Sequence, residues 1–92
     1  MKILFALDYD DTYTLDPDLW LRIIDMILAA GHELIIATMR CHWERDDMDP
    51  RLLEKVAVQF CCGKAKKPTL ARQGLHPHIW IDDRPDWIIG DE

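Results

Sequence analysis

Ile3-Leu4-Phe5-Ala6-Leu7-Asp8-Tyr9-Asp10-Asp11-Thr12 is the stretch on which the reading of the fold turns. The run from Lys2 to Leu7 is short, nearly continuously apolar and stopped by an acid, as a central parallel strand buried on both faces would be. A polar loop follows to Asp16, where a capping carboxylate and then Pro17 announce a helix. Trp20, Ile23, Ile24, Ile27 and Leu28 recur at helical spacing, and Gly31 supplies the stop.

Glu33 to Ala37 is a second strand-like run that ends at Thr38. Strand, helix and strand at this spacing imply a right-handed parallel crossover, so the chain is expected to be α/β. Asp49 and Pro50 repeat the cap-then-proline signal for a short helix through about Lys55, and Val56 to Cys62 reads as a third strand. Pro68 to Gln73 reads as another short helix closed by Gly74, and Ile79 to Ile81 as a fourth strand running into Asp82 and Asp83, with a last turn around Trp87. The expected fold is a three-layer α/β/α Rossmann-like sandwich with a small parallel sheet in the order 3-2-1-4. The segment from Met39 to Asp49 reads as a solvated connection, with a mobile flap as the alternative.

Composition bounds the rest. The chain of 92 residues is expected to form a single domain over 1–92, with 49% hydrophobic residues and charges spread along its length, as in a soluble globular protein. Eleven basic residues against seventeen acidic give a formal charge of −6, which disfavours binding to nucleic acid. The short apolar start before Asp8 is neither a signal peptide nor a spanning helix. Cys41, Cys61 and Cys62 lack metal-ligand spacing and are expected to be reduced thiols, which with the missing leader suggests a cytoplasmic protein.

In an open parallel sheet the carboxyl ends of the strands share one edge, and ligands bind there. That edge should gather Asp8, Asp10, Asp11 and Thr12 after the first strand, Thr38 after the second, and Asp82-Asp83 after the fourth. The lysines of Gly63-Lys64-Ala65-Lys66-Lys67-Pro68 precede the helix that leads to the fourth strand. Converging carboxylates repel one another by several kcal/mol at intermediate dielectric, by order of magnitude, and a divalent cation relieves this. All-oxygen ligands without nearby histidine or cysteine suit Mg²⁺, which binds phosphate together with one or two carboxylates.

Blander readings stand beside this one. The acids after Leu7 could be a polar loop closing a strand, Thr38 could simply end its strand on the backbone, and one acid of Asp82-Asp83 could cap the following turn. A calcium loop fails, because Tyr13 stands where the glycine is required and Leu19 where the closing glutamate is required. A phospho-receiver domain would put the paired acids after the first strand and the lysine after the last. His76-Pro77-His78 lacks a third ligand nearby and reads as a surface loop. Arg40 either clamps a phosphate or ends its strand in solvent. Trp43 and Trp87 could edge the open site or bury a patch against a second copy of the chain.

The apolar strand followed by Asp8-Tyr9-Asp10-Asp11-Thr12 resembles the first motif, D-x-D-x-T, of the haloacid dehalogenase superfamily. Leu34-Ile35-Ile36-Ala37-Thr38 resembles the second motif, the lysine cluster the third, and Ile79-Trp80-Ile81-Asp82-Asp83 the fourth in its adjacent-acid form. The resemblance implies a phosphatase with Asp8 as nucleophile forming an aspartyl-phosphate and Asp10 as general acid and then base. It further implies Thr38 bonded to a phosphoryl oxygen, one lysine of Lys64, Lys66 and Lys67 neutralising charge, with Lys66 or Lys67 favoured at the helix start, and Mg²⁺ held by Asp8, the Asp10 carbonyl, Asp82 and Asp83. Asp11, Thr12 and Arg40 would line the substrate side. Asp11 stands where many members carry glycine. The gaps after the first motif and the third strand are too short for a cap, so the likeness is to capless members, whose open sites accept bulky phosphates. Two other functions are compatible with these residues: a catalytically silent phosphate- or partner-binding module, and transfer of the phosphoryl group to an acceptor other than water.

Overall fold

Strand β1 (Leu4–Leu7) is central because both of its edges are taken. In a computed structural model that describes residues 1–90, it pairs in parallel with β2 (Glu33–Thr38) on one side, Leu7 beside Ile36, and with β4 (Ile79–Ile81) on the other, Leu7 beside Ile81. Strand β3 (Val58–Phe60) extends the sheet beyond β2, with Thr38 beside Phe60. The order is β3-β2-β1-β4, as the sequence suggests.

Successive side chains of a strand point to opposite faces, and β1 and β2 use both. Phe5, Leu7, Leu34 and Ile36 point into one layer with Tyr9, Tyr13, Ile24, Met48 and Leu52, beneath helices α1 (Pro17–Ala29) and α2 (Pro50–Leu53). Leu4, Ala6, Ile35 and Ala37 point into the other with Cys61, Leu70 and Trp80, beneath α3 (Lys66–Arg72). Helix α4 (Asp86–Ile89) packs on α3. This is a small three-layer α/β/α arrangement with no large inserted cap. Each fully buried Leu or Ile contributes about 1.5–3 kcal/mol.

The helix starts follow the local chemistry. The Asp16 carboxylate accepts from the Leu19 amide at 3.2 Å with Pro17 in the first turn, and Asp49 accepts from the Arg51 amide at 3.0 Å with Pro50 behind it. Helix α2 stops at Leu53, shorter than its pattern, and β3 is trimmed at both ends. The Val56 amide still bonds back to the Leu52 carbonyl, and Cys62 turns left-handed at φ 51°, which breaks the strand. Helix α3 begins at Lys66, two residues ahead of Pro68.

The segment after β2 is the solvated connection expected of it, exposed throughout His42–Asp47, and it is tied down at its far end. It forms a 3₁₀ turn over His42–Asp47, then buries Met48 and anchors Asp49 between two tyrosines. The Tyr13 hydroxyl donates to Asp49 Oδ2 at 2.8 Å, and the Asp49 amide donates to the Tyr9 hydroxyl at 2.8 Å. The expectation of three reduced thiols is also corrected: Cys41 and Cys62 form a disulfide, and only Cys61 is free and buried. Parallel pairing of β2 with β3 brings the two residues together across 21 positions of sequence, which no local spacing signals. The argument from thiols to a cytoplasmic location therefore falls away. Among the described residues, no helix is long and apolar enough to cross a membrane.

Candidate active site at the carboxyl edge of the sheet

Asp8 leaves the end of β1 with its amide still in the ladder, donating to the Ile81 carbonyl at 2.9 Å. The carboxylate that follows is therefore aimed by a central strand, and the residue is only 7% exposed. Its Oδ1 accepts from Lys66 Nζ at 2.8 Å and its Oδ2 from the Thr12 hydroxyl at 3.0 Å. Lys66 is fully buried and also donates to Asp82 Oδ2, while Thr12 lies 3.4 Å from Asp83 Oδ1. Sequence left Lys64, Lys66 and Lys67 as alternatives; at the first position of α3, Lys66 turns inward to the acids, and Lys64 and Lys67 are exposed.

Burial pushes the Asp8 carboxyl up to about 6, against the lowering effect of the Lys66 hydrogen bond and with the carboxyls of Asp83 and Asp82 adding to the rise. Oxygens of Asp8, Asp82 and Asp83 lie within 4.8 Å of one another. One ammonium among three carboxylates, running from buried Asp8 to exposed Asp83, leaves an excess of negative charge, and the donors are all oxygen. A hard dication such as Mg²⁺ fits both the charge and the donor set. Asp82 has two duties: its other oxygen caps the next turn by accepting from the Arg84 amide at 2.9 Å.

Asp10 points to the open side of the same edge. Arg40 grips it with two hydrogen bonds, Nε to Oδ2 and Nη2 to Oδ1, both 2.9 Å. The guanidinium also lies 5.1 Å from the centre of the Tyr9 ring and donates to the Glu44 carbonyl at 3.3 Å. Thr38, 1% exposed at the end of β2, accepts from the Arg40 amide at 3.1 Å and so fixes where Arg40 leaves the sheet. Asp11 is left-handed at φ 60°, and its amide donates to the Thr14 hydroxyl at 2.9 Å. This is the conformation that favours glycine, and aspartate is among the side chains that tolerate it best.

Asp8, Asp10, Asp11 and Asp83 line a cavity of about 290 Å³ together with Met39, Arg84 and Trp87. Thr38, Lys66 and Asp82 are not among its walls; Lys66 and Asp82 reach it through Asp8, and Thr38 through Arg40. Met39 and Arg84 were not foreseen as walls, and Tyr9, Tyr13 and Asp49 were not foreseen as supports. Their partners lie tens of residues away, so no pattern along the chain marks them. His78 is used at the other end of the sheet, where its Nδ1 accepts from the Leu4 amide at 3.0 Å. Burial raises the Cys61 thiol to about 11, so it stays protonated and inert near neutral pH. Trp43 is exposed and packs edge-on to His42.

No family model matches this chain, and neither the curated proteins nor the solved structures compared with it give a match. The functional reading therefore rests on the geometry of the site and on the motif resemblance.

Proposed function

We propose that residues 1–92 form one Mg²⁺-dependent phosphohydrolase domain of the capless haloacid dehalogenase type, cleaving a phosphomonoester through a covalent aspartyl-phosphate on Asp8. The observation that carries this reading is the Asp8 carboxylate, buried at a strand end and hydrogen-bonded by Lys66 and Thr12, beside two more acids and an open cavity. A nucleophile needs a fixed direction of attack and a counter-charge, and these partners supply both.

In the first half-reaction an Asp8 oxygen attacks phosphorus, the bond from phosphorus to the ester oxygen breaks, and Asp10 gives its proton to the departing alkoxide. In the second, Asp10 takes a proton from water, the water oxygen attacks phosphorus, and the bond to Asp8 breaks to release phosphate and the free carboxylate. Lys66 balances charge on the phosphoryl oxygens and Thr38 offers its hydroxyl to one of them. Asp8, Asp82, Asp83 and the Asp10 carbonyl would hold Mg²⁺, which supplies charge neutralisation for the transferring group. Arg40 frees Asp10 when it turns to the incoming phosphate. Both partners are partly exposed, so opening the pair costs at most about 1 kcal/mol.

Because the site is open, an alcohol can take the place of water, and phosphotransfer is the neighbouring activity. The test is phosphate release from 4-nitrophenyl phosphate by wild type and Asp8→Asn, with Mg²⁺ and with chelator. Metal-dependent turnover that vanishes in the variant is the expected result. Equal turnover in both proteins would reject Asp8 as the nucleophile.

A further inference from the structure

Beside the acid-lined cavity lies a larger one of about 660 Å³ between α3 and α4. The two share Met39 and Trp87 as walls, so the two spaces adjoin. Its volume falls within the range of cavities that enclose a small organic ligand.

The charges of the two cavities are opposite. The smaller presents Asp8, Asp10, Asp11 and Asp83 with Arg84 as the one cation on its wall, while Lys66 is buried behind it and Arg40 is paired with Asp10. The larger presents Lys64 and Arg72 from α3 and the turn before it. Neither has a carboxylate partner among the ion pairs of the described residues, and Arg72 makes only a 3.4 Å contact to the Thr69 hydroxyl. Among the described residues the acid there is Asp86, which is already held by Arg84 at 2.9 Å. Among the described residues, two cations without a carboxylate partner thus face one cavity.

At the junction, Trp87 is 40% exposed and carries the Arg84 guanidinium 4.1 Å from its ring centre. The end of α4 lies close against the turn before α3, where a Cβ at Gly90 would lie 2.6 Å from the Ala65 Cβ. The free face of the indole and the Met39 thioether border both cavities, and such side chains are favourable neighbours for a flat ring.

Resting on the phosphohydrolase reading, we infer that the larger cavity binds the leaving group, and that this group has a planar ring and a second anionic group: a nucleoside bisphosphate. One phosphate meets the metal-requiring acids, the base lies between Met39 and Trp87, and the other phosphate meets Lys64 and Arg72 directly. The overall negative charge disfavours a long polyanion, and the mononucleotide is the fitting size.

The experiment compares adenosine 3′,5′-bisphosphate with adenosine 5′-monophosphate and adenosine 3′-monophosphate, by kcat/KM and by calorimetric binding to Asp8→Asn with Mg²⁺. A charge-assisted contact predicts a preference of about tenfold or more for the bisphosphate over the better monophosphate. In Arg72→Ala and in Lys64→Ala, both surface changes, that ratio falls toward one. Turnover or binding with no preference, or a preference that both variants keep, overturns the inference while leaving the Asp8 mechanism in place. A preference seen in binding without any turnover supports the cavity assignment and counts against the hydrolase. Absence of both binding and turnover for all three nucleotides overturns the inference, and 4-nitrophenyl phosphate then reports on the hydrolase separately.

Discussion

Two carboxylate–cation pairs stand on the same edge of the sheet, and they differ in almost everything but charge. Asp8 and Lys66 have side chains 8% and 0% exposed, whereas Asp10 and Arg40 are 50% and 21% exposed. The first is bound into a network with Thr12, Asp82 and Asp83, so neither partner can turn away without leaving a buried charge alone. The second has better geometry, two parallel hydrogen bonds, yet water can replace either partner. A nucleophile has to stay where it is aimed, while a general acid has to reach first a leaving group and then a water. Burial provides the one property and exposure the other.

The largest effect expected from breaking this contrast is at the buried pair. Lys66→Met, close in size and without charge, leaves Asp8 and Asp82 facing each other unpaired, and should cost about 3–5 kcal/mol in denaturant unfolding with chelator present. A loss under about 1 kcal/mol would mean that the pair is no more demanding than a surface one.

Next comes pH. With its carboxyl raised from 3.8 to about 6, folded Asp8 holds its proton more tightly than the unfolded chain does. Its contribution to stability is complete below about pH 4 and is lost as pH rises through 6, on the order of 3 kcal/mol in all without metal. A dication binds the ionised form, so the rise in Tm on adding Mg²⁺ should be small at pH 4 and grow up to pH 7. A metal effect that is flat over this window would contradict a proton and a metal competing for Asp8.

The exposed pair should respond weakly. Arg40→Ala is expected to change stability by less than about 1 kcal/mol, with the difference shrinking in high salt, and to raise KM more than it lowers kcat. Smallest of all is Asp11→Gly. Removing the left-handed aspartate and adding glycine's greater freedom in the unfolded chain nearly offset each other, so unfolding should shift by only a few tenths of a kcal/mol.

The same contrast marks what the sequence could tell. β1 and Asp8 were legible because an uninterrupted apolar run stopped by an acid has few other uses, and Ile79 to Asp83 repeats that form. Asp16-Pro17 and Asp49-Pro50 gave helix starts because capping is a local matter. Helical phase separates Lys66 from Lys67, yet that phase depends on where α3 begins, and the cap at Ala65 has no side-chain hydrogen bond to signal it. The grip of Arg40 on Asp10, the Tyr13 to Asp49 bond and the Cys41–Cys62 bridge were out of reach. Each joins residues 21 to 36 positions apart, and it is the parallel register that brings them together.

The most direct test of Asp8 as the covalent nucleophile is chemical trapping. Wild type turning over 4-nitrophenyl phosphate with Mg²⁺ would be quenched with borohydride, which reduces an acyl phosphate to the alcohol, and then digested for tandem mass spectrometry. The account predicts conversion of Asp8 to homoserine, dependent on both substrate and Mg²⁺, with Asp10, Asp82 and Asp83 unchanged. Reduction at one of those other acids, or continued turnover with Asp8 unmodified, would contradict it.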